Sequence, residues 1–410
     1  MNEHTVTVDL SAHPLSYHRA LPICDPLSPL AFRHLLFWLG ALFVSVIALL
    51  QATHRHEPAP ARISLSATNG DNVRLVKSAG GAIPMPPDTP SAHASTLAPL
   101  PSGHRSLIAA AWFAGQRESA PDVRIAFSTF DKAGQRWTSA RFIVDRESLG
   151  KELGFGIRRL GNPVLWRDDD DRLHLFVVGT GIGGWATSRI IHLQQSEDST
   201  DAEQPRFEAR AVLPLSWLWN LSHLVRNAPL VLADGAVVLP IYFELGTKYP
   251  TLARLDRAGS FSGISRISRK GNLLQPALLP LSEHRWLAYM RMSGGTHRIA
   301  MAETNDAGKN WQDRTDLELP NPNASVAALN ANGVPALTFN PSSKGRDRLV
   351  TATSADGQRW NISAELALGQ TGDEYSYPAM LWHEDELWVS YTDRRRHIAW
   401  QRFTIVRQSP

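Results

Sequence analysis

The chain has 410 residues, with 42 Lys+Arg against 39 Asp+Glu, a formal net charge of +3 and 43% hydrophobic residues. That length is enough for one large domain or two to three ordinary ones. Average Gly and Pro usage excludes a collagen-like or wholly disordered chain. No long Lys/Arg block accompanies the pI of about 9.1, which excludes a nucleic-acid footprint. The single cysteine, Cys24, excludes an internal disulfide and a cysteine-based zinc site.

In chain order, residues 1–34 read as a short tail and 35–53 as a membrane anchor. LLFWLGALFVSVIALLQAT carries no charge, and as a helix it would extend roughly 28 Å, close to the hydrocarbon thickness of a bilayer. Thirty-four residues precede it and no small-x-small cleavage site follows, unlike a cleaved signal. Arg19 and Arg33 before it balance Arg55 and Arg62 after it. Orientation therefore rests on the signal-anchor pattern: N-terminus inside an inner membrane, the large domain on the periplasmic or extracytoplasmic side. Residues 54–92, with HEPAPAR and GGAIPMPPDTPSAH, read as a linker in which ISLS and NVRLVK form a short strand.

From 93 to 407 short β-rich runs alternate with turns: LIAAAWFAG, VRIAFSTF, LHLFVVG, AVVLPIYF, RWLAYMR, VPALTF and LWVSYT. So many strands cannot form one open sheet and require closure or radial repetition. A repeat decides between these. Thr304-Asn-Asp306-Ala-Gly308-Lys-Asn-Trp311 fits S/T-x-D-x-G-x-x-W without a gap. Ser354-Ala-Asp356-Gly357-Gln-Arg-Trp360 lacks one residue, and the stretch from Ser128 through Asp131 and Gly134 to Trp137 has one extra. Weaker echoes stand at Ser196/Asp198 and Asp256/Gly259. In such a hairpin the Asp caps turn N–H groups, Gly takes a positive φ and Trp packs beneath. The steps from Asp256 to Asp306 and on to Asp356 are 50 residues each. That is the length of one four-stranded blade, and about 315 residues then make a six-bladed, all-β propeller.

These Asp boxes resemble those of the sialidase (neuraminidase) or BNR-repeat superfamily, over most of 93–407. The resemblance implies an arginine triad for a substrate carboxylate, an aspartate acid/base and a tyrosine nucleophile polarised by a glutamate. Matched motif by motif, Asp122, in the connection carrying Arg117 and Glu118, stands for the acid/base. Arg291, closing LAYMR, and Arg346, in GRDRLVTATS with Arg348 as its rival, stand for two triad arginines. Tyr377 stands for the nucleophile, with Tyr375 close behind in Glu374-Tyr-Ser-Tyr-Pro378. The sequence departs twice from the pattern. His93-Ala94-Ser95 holds no arginine, and Gln275 stands where the polarising glutamate belongs; an amide cannot accept a phenol proton.

The remaining polar residues beside apolar strands suggest a polar floor at the propeller axis: Asn162, Arg226, Asn227, Glu244, Arg254 and Arg298. Two carboxylates about 5 to 10 Å apart suffice for glycoside hydrolysis, so Asp122 with Glu244 or Glu374 is an alternative catalytic pair. His174, His223 and His297 stand singly, and no phosphate-cradling or dinucleotide fingerprint occurs, so neither metal nor cofactor is implied. The expectation is a membrane-anchored exo-glycosidase acting on an acidic sugar of an envelope glycan. Alternatives are a non-catalytic propeller binding anionic polysaccharide and a protein–protein scaffold.

Overall fold

The computed structural model describes residues 29–53, 59–63, 73–199 and 204–407. Two compact units divide the chain, Met1–Glu57 and Pro58–Pro410. In the first, helix α1 (Pro29–Thr53) begins on a proline, whose fixed φ suits the first helical turn. Large apolar side chains along it, Leu35, Phe37, Trp38, Leu42 and Phe43 among them, are exposed. Among the described residues no helix is long and apolar enough to cross a membrane. The span expected over 35–53 is thus unsupported by the structure.

The second unit is a six-bladed propeller of antiparallel sheets. Blades 1 to 5 run through Ser91–Val144, Arg159–Val212, His223–Arg266, Leu273–Asp313 and Ala327–Leu368. Blade 6 takes three strands from Tyr375–Arg407 and its outer strand, Val73–Ala82, from the other end of the propeller. That pairing closes the ring by joining the two ends of the propeller in one blade. Part of the stretch read as a linker is thus propeller, and residues 59–63 pack on it as well. Ala61 N donates to Glu283 O at 2.8 Å, and Arg62 pairs with Asp169 at 2.6 Å. Between blades 1 and 2, helix α2 (Arg146–Leu153) starts at Asp145, whose Oδ1 accepts from Ser148 N at 2.8 Å. It ends at Gly154, in the left-handed region at φ 72°.

The two faces of the ring have different chemistry. On one lie the Asp boxes, at the hairpins between third and outer strands. Asp306 Oδ1 accepts from Asn310 N at 2.8 Å, and Thr304 Oγ1 accepts from Gly308 N at 3.1 Å. Gly308 has φ 82°, and a Cβ there would come within 2.8 Å of Trp286. Asp356 repeats the scheme, accepting from Gln358 N and Arg359 N. The Asp256 echo keeps one such bond, from Ser260 N at 2.7 Å, whereas Asp198 is exposed and only pairs with Arg206 at 3.5 Å.

On the other face the inner strands open with a recurring irregularity. Ladders skip at His93/Thr96, Gly161/Val164, Leu274/Ala277 and Ser376/Ala379. At each skip one residue has a positive φ: Ala94 at 55°, Asn162 at 43°, Gln275 at 53° and Tyr377 at 53°. Asn323, ahead of the blade 5 inner strand, has φ 55°. A left-handed non-glycine residue costs roughly 1–2 kcal/mol, and such outliers cluster at functional sites. Proline, which needs no ladder partner, follows in three cases: Pro163, Pro276 and Pro378. The bulges stand at equivalent heights in four blades and present Asn162, Gln275 and Tyr377 where the inner strands converge.

Candidate functional site at the propeller axis

Arg226, on the blade 3 inner strand, is 1% exposed. Its Nη1 donates to Ser95 O at 3.1 Å, and its Nη2 to Tyr377 O at 2.5 Å and Pro378 O at 2.9 Å. Burial lowers its pKa to about 10, which still leaves it charged at neutral pH. The expected ligand-binding arginine is therefore a crosslink that ties blade 3 to blades 1 and 6. Asn227 does the same toward blade 4, donating to the carbonyls of Gln275 at 3.1 Å and Pro276 at 2.9 Å. Together they form the floor of the site.

Above that floor Arg291 gathers three partners from three blades. Its Nε donates to Asn323 Oδ1 at 2.8 Å, and its Nη1 to Gln275 Oε1 at 3.1 Å and Tyr377 Oη at 3.3 Å. Gln275, 4% exposed, donates in turn through Nε2 to Tyr242 Oη at 3.3 Å, and Asn162 Nδ2 reaches the same hydroxyl at 3.5 Å. Burial, with the nearby Glu244 charge second, raises the Tyr242 pKa far above that of a free phenol, so this hydroxyl stays protonated. The Tyr377 ring lies 5.2 Å from the Arg226 guanidinium and 4.2 Å from the His93 ring.

A second cluster borders the first. Arg346 Nη1 donates to Glu374 Oε1 at 2.9 Å, and its Nη2 to Asn323 O at 2.9 Å. Arg395 Nε donates to Glu374 Oε2 at 2.6 Å, and its Nη2 to Oε1 at 3.1 Å, while its Nη1 meets Glu118. Burial alone would raise the Glu374 carboxyl. Hydrogen bonds from Arg395 and Ser376 and the charges of Arg346 and Arg395 outweigh it and hold the pKa at about 2. Burial likewise opposes the Arg395 charge, but Glu374 and Glu118 raise its pKa above the ordinary value.

The structure thus brings together Gln275, Arg291, Tyr377 and, through Tyr242, Asn162. It joins Arg346, Glu374 and Glu118 around Arg395. Asp122 stands on the connection 116–123 of blade 1, exposed, its Oδ2 accepting from Gln116 N at 2.8 Å. Four expected residues are elsewhere. Tyr375 is core, its ring 6.5 Å from Tyr391 and its pKa raised by burial. Arg254 donates to Ala307 O at 3.3 Å, bracing the neighbouring Asp box. Arg117 and Arg298 are exposed.

Sequence reasoning missed Arg395, Tyr242 and His93. Arg395 lay inside the run DRRR, which reads as a solvated turn; no local signal selects the middle arginine. His93 is 1% exposed with both ring nitrogens unpartnered, and burial, with Arg395 second, pushes its pKa well below the usual range. A neutral imidazole therefore adjoins the bulge where the resemblance would place an arginine.

A ring of six four-stranded blades, with Asp boxes on one face and an arginine, a tyrosine and an amide joined at the axis of the other, defines a sialidase-type propeller. The chain belongs to the BNR repeat-like family, whose model matches residues 106–389, and is a divergent member of that superfamily. Comparison with curated sequences gives no match. Among solved structures, the Hadza microbial sialidase Hz136 aligns with TM-score 0.61 and 16% identity, over 77% of this chain and 66% of that one. Trypanosoma rangeli sialidase aligns with TM-score 0.60 and 14% identity, over 80% and 59%. A Dyadobacter fermentans protein of unknown function aligns with TM-score 0.60 and 13% identity, over 82% of this chain and all of that one. The chain spans less than two thirds of the length of the two sialidases, and these likenesses concern the fold.

Proposed function

We propose that the axial site recognises the carboxylate of an acidic sugar at the end of an envelope or extracellular glycan. The observation that carries this reading is Arg291, half-buried and hydrogen-bonded at once to Gln275, Tyr377 and Asn323. A guanidinium held in one orientation through Nε and Nη1 presents the two donors of Nη2, free among the described residues, to a carboxylate as charge-assisted hydrogen bonds. Trypanosoma rangeli sialidase has been solved in complex with sialic acid, on a fold aligning at TM-score 0.55 and 15% identity over 84% of this chain and 59% of that one. An uncharged run at 35–53 supports the further reading that α1 tethers the protein to the inner membrane, the propeller lying on the periplasmic side.

Hydrolysis is the second reading, favoured by Asp122 on the loop that also carries Glu118 to Arg395. Glycosidic cleavage through Tyr377 would require its phenol proton to pass to a base as the C–O bond to the anomeric carbon forms. The residue touching that hydroxyl among the described contacts is Arg291, a donor, and Gln275 beside it cannot accept the proton. Recognition with little or no turnover therefore fits this geometry best.

Calorimetry with free sialic and glucuronic acids, beside turnover assays on their aryl glycosides, tests both readings. Binding without turnover in the parent chain, and turnover gained in Gln275→Glu, is the expected pair of results. No binding of any acidic sugar overturns the recognition reading, and fast turnover by the parent that is lost in Asp122→Asn replaces it with the hydrolytic one.

A further inference from the structure

A cleft of about 770 Å³ opens between the blade 1 connection that carries Asp122 and the 179–189 segment of blade 2. Pro121, Arg146, Phe155, Arg158, Arg189 and Leu221 are among its walls, which hold three arginines and no aspartate or glutamate. Arg146 is partly engaged, donating through Nε to Pro121 O at 2.6 Å and pairing with Glu147 at 2.5 Å. Arg158 is exposed, and Arg189 lies with its guanidinium 4.8 Å from the Phe155 ring centre. Neither has a carboxylate partner among the described residues.

The contrast with the axial cluster is one of charge. There Glu374 and Glu118 answer Arg346 and Arg395, whereas Arg158 and Arg189 face open volume uncompensated. Like charges gathered on a concave wall raise the local concentration of counter-ions, and a volume near 800 Å³ lies within the range of small-ligand sites. The connection 213–222 that supplies Leu221 also exposes Trp219, a flat apolar face of the kind on which sugar rings rest.

We infer that this cleft is a second anion subsite, which takes a further acidic unit of the same glycan whose terminal unit occupies the axial site. The inference rests on the axial recognition reading and extends it: the ligand is a polyanionic chain of at least two acidic units. Pro121, a wall of the cleft, immediately precedes Asp122 on the connection 116–123, whose Glu118 meets Arg395 at the border of the axial site.

The test compares monomeric, dimeric and tetrameric sialic acid by calorimetry on the full chain, with maltotetraose as a neutral control. For the parent, affinity should rise about tenfold from monomer to dimer or tetramer. The double variant Arg158→Gln/Arg189→Gln should lose that gain and bind the monomer unchanged, with an unaltered melting temperature. An equal gain in the double variant, or an equal gain for maltotetraose, overturns the subsite. Failure of the tetramer to bind the parent overturns it too. The axial reading is judged separately, by whether Arg291→Ala weakens monomer binding roughly 10- to 100-fold. If the monomer does not bind but the tetramer does, and the double variant loses it, the cleft stands as an anion site and the axial reading falls.

Discussion

The two faces of the propeller are held by bonds of different reach. In the Asp box at Thr304–Trp311 the bonds that shape the turn join residues two to four positions apart, and Arg254 and His284 brace it from outside. On the axial face Arg226 reaches residues 131 to 152 positions away, Arg291 reaches Tyr377 across 86 positions, and Arg395 meets Glu118 across 277. Local bonds leave a spacing in the sequence; distant ones leave only a residue type. The first kind fails one hairpin at a time, whereas the second fails for several blades together.

Breaking the longest-range element should have the largest effect. Arg226→Met leaves three buried carbonyls without their donor, and each unsatisfied buried acceptor costs about 1–3 kcal/mol. Thermal denaturation should show a cooperative loss, since blades 1, 3 and 6 share the bonds. Next comes Arg291→Ala. It should leave folding nearly intact, because the side chain is only half-buried, yet weaken acidic-sugar binding roughly 10- to 100-fold, the worth of one to two charge-assisted hydrogen bonds. Calorimetry on the folded variant reads this directly.

A third effect depends on pH. The Glu374 carboxyl is held at about 2 in the fold against an ordinary 4.5. A depressed pKa means that the unfolded chain binds the proton more readily. The pairs with Arg346 and Arg395 therefore stabilise fully above about pH 4.5, and their contribution is lost as pH falls toward 2. Melting temperatures between pH 5 and 2.5 should drop more steeply for the parent than for Glu374→Gln. Smallest is Asp306→Ala, which removes the cap of one exposed hairpin at a cost of about 1 kcal/mol and leaves sugar affinity unchanged. A collapse of the whole ring in that variant would erase the distinction between the faces.

The same division explains what could be read in advance. Asp131, Asp306 and Asp356 carry a fixed local motif, and the 50-residue steps from Asp256 to Asp306 and Asp356 gave the blade number. Arg291, Arg346 and Tyr377 could be singled out in the sequence because each ends or opens a strand that resembles a family motif. The roles of Arg226 and Tyr375 could not be read, since a strand-end arginine looks alike whether it meets a carbonyl or solvent, and tyrosines two positions apart differ only by the bulge that puts Tyr377 at φ 53°. Arg395 and Glu374 were invisible as a pair because 21 positions and a hairpin separate them.

Blade 6 supplies Tyr377, Glu374 lies at its threshold and Arg395 on its hairpin, and it is also the blade completed by Val73–Ala82. The hoop is fastened where the ligand would sit. A molecule bridging Arg291 on blade 4 to Tyr377 on blade 6 would brace the clasp from within, so occupancy and closure should protect one another. Slower cleavage of the 73–82 segment by protease in the presence of ligand would report that coupling.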